Sequence, residues 1–280
     1  MSLPQKIALI AGGGTLPHEV ISGALQRNLS VYVAAMTGFA KMSDFDSPGG
    51  EFGLGEFKRM LKVFKAEKCT HIVMAGIIER PDFKSLKLDL RSLSLLPKVL
   101  KAAAKGDDAL LSMIVSEFEK EGFYILAPQD ICQTPLIQAG VLGAYSPTKK
   151  HQADIIKARE TALLMGAHDI GQGCVVCNGL VLAVEAQEGT DKMLERVACL
   201  PENIRGNAET RLGVLSKRLK PEQEDRVDLP TIGPRTIELA AKAGLAGIVV
   251  EAGKAFVLDK EHVRTLADKH KIFVLGYEKN

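Results

Sequence analysis

The chain contains no tryptophan, and aromatic residues make up only 5% of its 280 residues. Proteins that grip single-stranded nucleic acid stack bases on aromatic side chains, so that class of partner is poorly provided for. Net charge is +2 and no long run of one sign exists. A phosphate backbone would meet no basic stripe, and no nucleic-acid partner is expected. No apolar run approaches the ~18 to 20 residues of a membrane-spanning helix. The opening "MSLPQKIALIAGGG" does not read as a signal peptide, because its apolar run from Ile7 to Ala11 is short and continues into the fold. A soluble, cytoplasmic-type protein is expected, with peripheral membrane binding left open because that needs only a local patch.

The five cysteines (Cys69, Cys132, Cys174, Cys177 and Cys199) form no disulfide framework, and their odd number suits a reducing compartment. Cys174 and Cys177 make a C-x-x-C inside "GCVVCNGLVLAVEA". A zinc site would want a second such pair, so these are read as half-buried strand residues. The six histidines show neither H-x-x-x-H nor H-E-x-x-H spacing, which argues against a histidine-based metal centre.

What is present is an ordinary globular balance, 46% apolar and 25% charged, at a length that suits one or two domains. The N-terminal half alternates. Short buried strands are expected at Ile7–Ile10, Val31–Ala35, His71–Ile78 and Phe123–Pro128, with helices at Leu16–Arg27 and Glu56–Glu67. Phe57, Met60, Leu61 and Phe64 give the second helix its apolar face. "KGDDALLSMIVSEFEKEG" predicts an Asp-capped amphipathic helix. This alternation predicts an α/β fold: a Rossmann-like parallel-sheet domain over residues 1–145.

A long helical stretch, His151 to Met165, follows a Ser-Pro turn, and residues 146–165 are read as a linker helix. Residues 166–280 are read as a C-terminal mixed α/β catalytic domain. Its Asn178-Gly179 pair between valine-rich runs is a strong hairpin signal. "GLAGIVVEAG" and "AFVLD" read as a further strand pair, and "HVRTLADKHKIFVLGY" as a helix and a closing strand.

Four constellations could carry chemistry. In "IAGGGTLPHEV", Gly12, Gly13 and Gly14 lie between a strand and a helix, where bare amides can seat a phosphate. The dinucleotide fingerprint is not met, since Pro17 stands where its last glycine belongs, and no G-K-[ST] of a P-loop follows. Ala75 and Gly76 in "MAGIIERPD" fall at another strand's carboxyl end and could line the same crevice. In "VEAQEGTDKMLER", Glu185 and Glu188 flank a Gly189-Thr190-Asp191 turn in which Thr190 or Asp191 caps a helix, or in which the acids hold a cation. "KPEQEDRVDLPTIG" gathers Glu222, Glu224, Asp225 and Asp228 with Lys220 and Arg226, just after Lys217. Basic side chains beside carboxylates suit metal-assisted attack on phosphorus, and Pro230 and Pro234 stiffen the exit. A solvated charged loop is the plainer alternative.

With these residues in view, the chain resembles the LpxI family, the UDP-2,3-diacylglucosamine pyrophosphatases of lipid A biosynthesis. "LIAGGGTLP", "GAHDIGQGCVVCNGLVLAVEAQEGTD" and "KPEQEDRVDLPTIGPRTI" carry the resemblance across the whole chain. It implies a two-domain clamp and Mg²⁺-dependent hydrolysis of the lipid nucleotide sugar to 2,3-diacylglucosamine 1-phosphate and UMP. Water would attack the phosphorus nearer the glucosamine. The catalytic acid lies in the K-P-x-Q segment, where the family has Asp directly after Gln. This chain reads Gln223-Glu224-Asp225, so the role falls on Asp225 or, second, Glu224. Together, these readings place Gly12, Gly13, Gly14, Ala75, Gly76, Gln172, Glu188, Gly189, Thr190, Asp191, Lys217, Lys220 and Arg226 at the substrate, and Asp225, Asp191 and Asp228 at the metal. A homodimer peripheral to the inner membrane is expected. "SLSLLPKVL", Ser92 to Leu100, could wall a greasy chamber or dock on membrane, against the plainer reading of a buried helix. A non-catalytic nucleotide-sugar or lipid carrier, and a nucleotide-sugar transferase, are the competing functions.

Overall fold

The computed structural model describes residues 4–83, 85–132, 136–221 and 223–278. Two compact units divide the chain: Met1–Gln133 together with Glu224–Asp228, and Thr134–Gln223 together with Leu229–Asn280.

The N-terminal unit alternates as expected. Its elements are β1 (Lys6–Ala11), α1 (Leu16–Gln26), β2 (Ser30–Met36), β3 (Gly49–Phe52), α2 (Phe57–Ala66), β4 (His71–Ala75), α3 (Leu90–Ala103), α4 (Asp107–Lys120), β5 (Tyr124–Leu126) and the single turn α5 (Pro128–Ile131). The strands form one parallel sheet in the order β3-β2-β1-β4-β5, which is the Rossmann order 3-2-1-4-5-6 without its last strand. Side chains alternate across a strand, so β1 sends Ala8 and Ile10 into a core shared with Phe57, Met60, Leu61 and Phe64 of α2. Ile7, Leu9 and Ala11 enter a second core with Val20, Ile21 and Ala24 of α1. Both faces are covered, which is why β1, beyond Lys6, is a continuous apolar run. The fourth helix starts after Gly106, with Asp107 and Asp108 in its first turn instead of a capping aspartate. There the acids act on the helix dipole.

The second unit holds β6 (Gly140–Leu142), α6 (Gln152–Ala167), β7 (Gly173–Cys177), β8 (Leu180–Val184), α7 (Gly189–Ala198), α8 (Glu202–Arg205), β9 (Val214–Lys217), β10 (Thr231–Ile232), α9 (Pro234–Lys242), β11 (Gly247–Glu251), β12 (Phe256–Val257), α10 (Lys260–His270) and β13 (Phe273–Tyr277). Its mixed sheet runs β6-β13-β11-β9-β7-β8, parallel across β13, β11 and β9 and antiparallel elsewhere. Asn178 and Gly179 both take positive φ, 49° and 76°, as the tight turn from β7 to β8 requires.

Three expectations need correction. A boundary at 145 is too late, because β6 already pairs with β13 in the second sheet. The stretch read as a linker over 146–165 holds α6, whose Ile155, Ala158 and Ala162 pack on Cys174, Val176 and Val214 of that sheet. "GLAGIVVEAG" and "AFVLD" do not pair with each other: β11 joins the large sheet and β12 pairs with β10 in a separate two-stranded ladder.

Candidate functional site

The glycine turn follows from the approach of two strand ends. Beyond β1 and β4 the Gly12 N–H donates to the Ala75 carbonyl at 2.9 Å. Gly13 and Ile77 exchange both backbone bonds, at 2.9 and 2.8 Å. A Cβ on Gly12 would stand 2.5 Å from the Ile77 carbonyl oxygen, and one on Gly76 would stand 2.6 Å from the Gly13 oxygen. The two loops therefore touch backbone to backbone, and the structure does bring Gly12, Gly13, Ala75 and Gly76 together. The amides of Gly12 and Gly13 are used in that contact. Gly14, at φ +90°, turns the chain into the cap residue Thr15 of α1, and a Cβ there would meet only Ile77 Cδ1, at an ordinary 4.0 Å. Any anion at this turn would meet Gly14 and the start of α1.

The acid segment belongs to the same unit. Residues Glu224–Asp228 cluster with the N-terminal sheet and not with the domain over 166–280 to which the sequence reading gave them. Val227 packs against the core that contains Phe57 and Phe118. The N–H groups of Val227 and Asp228 both donate to the Glu224 carbonyl, forming a tight turn. Arg226 grips the Glu224 carboxylate with two nitrogens, at 2.8 and 2.7 Å, and reaches Glu119 of α4 at 2.7 Å. The Arg226 guanidinium holds the Glu224 carboxyl below the usual glutamate range, and the two glutamates in turn raise the guanidinium's pKa. Two adjacent acids thus have different fates. Glu224 is an anchor for the turn, and Asp225 stands half-buried beside it. Glu222 lies outside the described residues.

In the second unit, Lys217 ends β9 and is buried, its Nζ donating to the Thr231 carbonyl at 2.9 Å. Lys220 pairs with Asp169 at 2.6 Å, and its N–H donates to Gln223 Oε1 at 3.0 Å. Glu188, not Thr190 or Asp191, caps α7, because the helix begins at Gly189. Glu188 pairs with Arg196 at 2.8 Å, and its carboxyl lies low through its own backbone N–H and then Arg196. Asp191 pairs with Arg235 on the surface. The Gln172 carbonyl accepts from the Arg218 N–H, and its buried side-chain oxygen has no partner among the described residues.

The sequence offers Glu185, with Glu188, only as one of two acids that flank the turn or hold a cation, and the structure gives it a definite place. It is buried, accepts from the Thr190 hydroxyl at 2.9 Å, and lies where a Cβ on Gly173 would stand only 2.3 Å from Oε2. The G-Q-G at 171–173 is the available signal, since both glycines clear room for this one acid. The expected stiffening after the acids also takes a specific form: Thr231 and Ile232 form β10, and Pro234 opens α9.

No group of three or more His, Cys, Asp or Glu able to hold a metal stands together among the described residues. The donors near the acid turn fit a different kind of site. Mg²⁺ takes one or two carboxylates and completes its shell with substrate phosphates and water, which Asp225 and Asp228 could begin. The C-x-x-C thiols are buried in β7, and burial pushes both up to about 11, which disfavours a free thiolate nucleophile there at neutral pH.

Comparison with known proteins decides the family. Residues 6–134 match the LpxI N-terminal domain and residues 138–275 the LpxI C-terminal domain. The chain belongs to the LpxI family. A relative from Caulobacter vibrioides, named UDP-2,3-diacylglucosamine pyrophosphatase LpxI, is 52% identical over 274 residues, covering 98% of each chain. The likenesses of this LpxI-family chain to solved structures are weak. The UDP-glucose 4-epimerase of Thermus thermophilus, in complex with NAD, gives a TM-score of 0.29 at 14% identity over 52% of this chain and 42% of that one. CobK precorrin-6A reductase gives 0.33 at 11% identity over 99% and 89%. Neither carries an argument about fold or function.

Proposed function

We propose that this chain hydrolyses the pyrophosphate of UDP-2,3-diacylglucosamine, releasing 2,3-diacylglucosamine 1-phosphate and UMP. The observation that carries the reading is the end-to-end 52% identity with the pyrophosphatase from Caulobacter. Water adds to the phosphorus nearer the glucosamine, the bond from that phosphorus to the bridging oxygen breaks, and UMP leaves with the bridging oxygen. Asp225 orients that water and accepts its proton. Glu224 takes the second place, because its carboxylate is already gripped by Arg226 and a gripped carboxylate is a poor base. Arg226 positions the turn. Gly14 and the start of α1 meet a phosphate oxygen, with Gly12, Gly13, Ala75 and Gly76 shaping the loop. In the second unit Gln172, Glu188, Gly189, Thr190, Asp191, Lys217 and Lys220 are assigned to substrate. A bound Mg²⁺ would draw charge from the phosphoryl group. Asp225, Asp228 and Asp191 are its proposed carboxylates, of which Asp191 is paired with Arg235. The protein is further proposed to work as a homodimer in the cytoplasm, peripheral to the inner membrane; among the described residues no helix is long and apolar enough to cross one.

The test is incubation with UDP-2,3-diacylglucosamine in ¹⁸O-water, once with Mg²⁺ and once with excess chelator. UMP release with Mg²⁺ alone, and label in the sugar phosphate, is the expected result. Tight binding with no product in either arm would return the chain to the carrier reading. Sugar transferred to an acceptor would mark a transferase.

A further inference from the structure

An amphipathic helix needs one apolar stripe to join a core. The third helix, α3, carries two. Its inner side is accounted for: Leu95 joins the core with Phe57 and Phe118, and Ser92 Oγ accepts from the Phe57 N–H at 3.1 Å. On the outside, Leu90, Leu93 and Leu100 are 75%, 55% and 47% exposed, and Pro97 and Ala104 are exposed between them and beyond. The spacing of 90, 93, 97, 100 and 104 follows the helical repeat, so these residues form one narrow stripe along the helix. Nothing in the core explains it.

The charges beside the stripe have one sign. From 87 to 105 the chain has five bases, Lys87, Arg91, Lys98, Lys101 and Lys105, against the single acid Asp89. Asp89 is occupied as the N-cap of the helix, accepting from the Ser92 N–H at 2.8 Å. Arg91 and Lys98 lean toward Glu117 on α4. Lys87, Lys101 and Lys105 are exposed. Lys101 lies along the stripe's edge, one helical turn from Pro97, and Lys105 lies just past the end of the helix. Exposed leucines bordered by lysines are the pattern of a helix lying in the plane of a bilayer interface, its apolar side among acyl chains and its bases among anionic headgroups.

We propose that the outer face of α3 docks this protein on an anionic phospholipid bilayer. The proposal rests on the pyrophosphatase reading only for its purpose, which is to bring the enzyme to a diacyl substrate. Charge complementarity is what selects a bilayer over a second copy of the chain, whose α3 would present the same bases.

Vesicle sedimentation tests it with the full chain, using phosphatidylglycerol mixed into phosphatidylcholine and, separately, phosphatidylcholine alone. Wild-type protein should partition onto the anionic vesicles, and less so as salt rises. Leu93→Glu with Leu100→Glu should weaken that binding by roughly tenfold or more. Lys101→Glu with Lys105→Glu should weaken binding to anionic vesicles and leave any binding to neutral ones unchanged. All four positions are exposed, so the thermal midpoint and turnover of detergent-dispersed substrate should stay at wild-type values. Unchanged vesicle binding in both variants overturns the proposal. So does a leucine variant that loses a concentration-dependent dimer and no vesicle binding. Absent turnover in detergent by the wild type would overturn the pyrophosphatase reading and leave the docking result standing.

Discussion

The glycine turn at Gly12–Gly14 and the acid turn at Glu224–Asp228 lie in one unit, and both look in the sequence like groups waiting for a ligand. The fold treats them alike. At the first, two of three bare amides bond the carbonyls of Ala75, which ends β4, and of Ile77 just past it. At the second, one of two adjacent carboxylates is clamped by Arg226. Each motif therefore contains a part that builds the loop by a contact named above, Gly12 and Gly13 in one case and Glu224 in the other, beside a neighbour assigned to the ligand, Gly14 and Asp225. The difference lies in what enforces the division. In the glycine turn it is steric, since no Cβ fits between the strands. In the acid turn it is electrostatic, so pH and a single neutralised charge can undo it.

Asp225→Asn is the strongest way to break the comparison. Turnover should fall about 10² to 10⁴-fold, the usual contribution of a positioned acid-base group, with urea unfolding unchanged. Near-normal turnover with Glu224 intact would mean that the wrong member of the pair has been chosen. Next in size is the glycine pair. Gly12→Ala should lower stability by roughly 2–3 kcal/mol, because its Cβ would meet a backbone oxygen that cannot move aside. Gly14→Ala should lower it by only about 1–2 kcal/mol, from its positive φ alone. Equal losses in chemical denaturation would remove the distinction between the two roles. Smallest is Glu224→Gln, expected to lower stability by about 0.5–1 kcal/mol at neutral pH, because Arg226 is partly exposed and the amide oxygen still accepts one of its bonds. A carboxyl held low in the folded state binds fewer protons than in the unfolded state, so its stabilisation is complete above the ordinary glutamate pKa, ~4.3. It is lost as pH falls through the lower folded value. The gap between Glu224→Gln and wild type should therefore close in acid, and a gap independent of pH would assign the residue another role.

Much of the architecture was legible because it is local. Phe57, Met60, Leu61 and Phe64 announce both a helix and its buried face, and Asn178-Gly179 announces a hairpin. Partners distant in sequence were not. Nothing near β6 says that it pairs with β13, and nothing in "GIVVE" chooses between β12 and the large sheet. The site was legible at the level of residue type. Its division was hidden, because the groups that occupy Glu224 and Asp191 depend on geometry: Arg226 folds back two residues and Arg235 comes from another helix. Lys217 shows the same limit, a cation that the sequence offers to phosphate and the fold aims first at the Thr231 carbonyl.

The five residues Glu224–Asp228 also bear on how the chain is made. A ribosome completes the parallel sheet long before it reaches them, since all of Thr134–Gln223 intervenes. Until then the N-terminal unit lacks Val227 from its core and Arg226 from Glu119. A fragment ending at 133 is thus an unfinished unit, and the acid turn is a late insertion into a body already largely folded. Domains usually mature in order from the N-terminus; here the last piece of the first unit is delivered by the second, so candidate catalytic geometry is assembled only when nearly the whole protein exists.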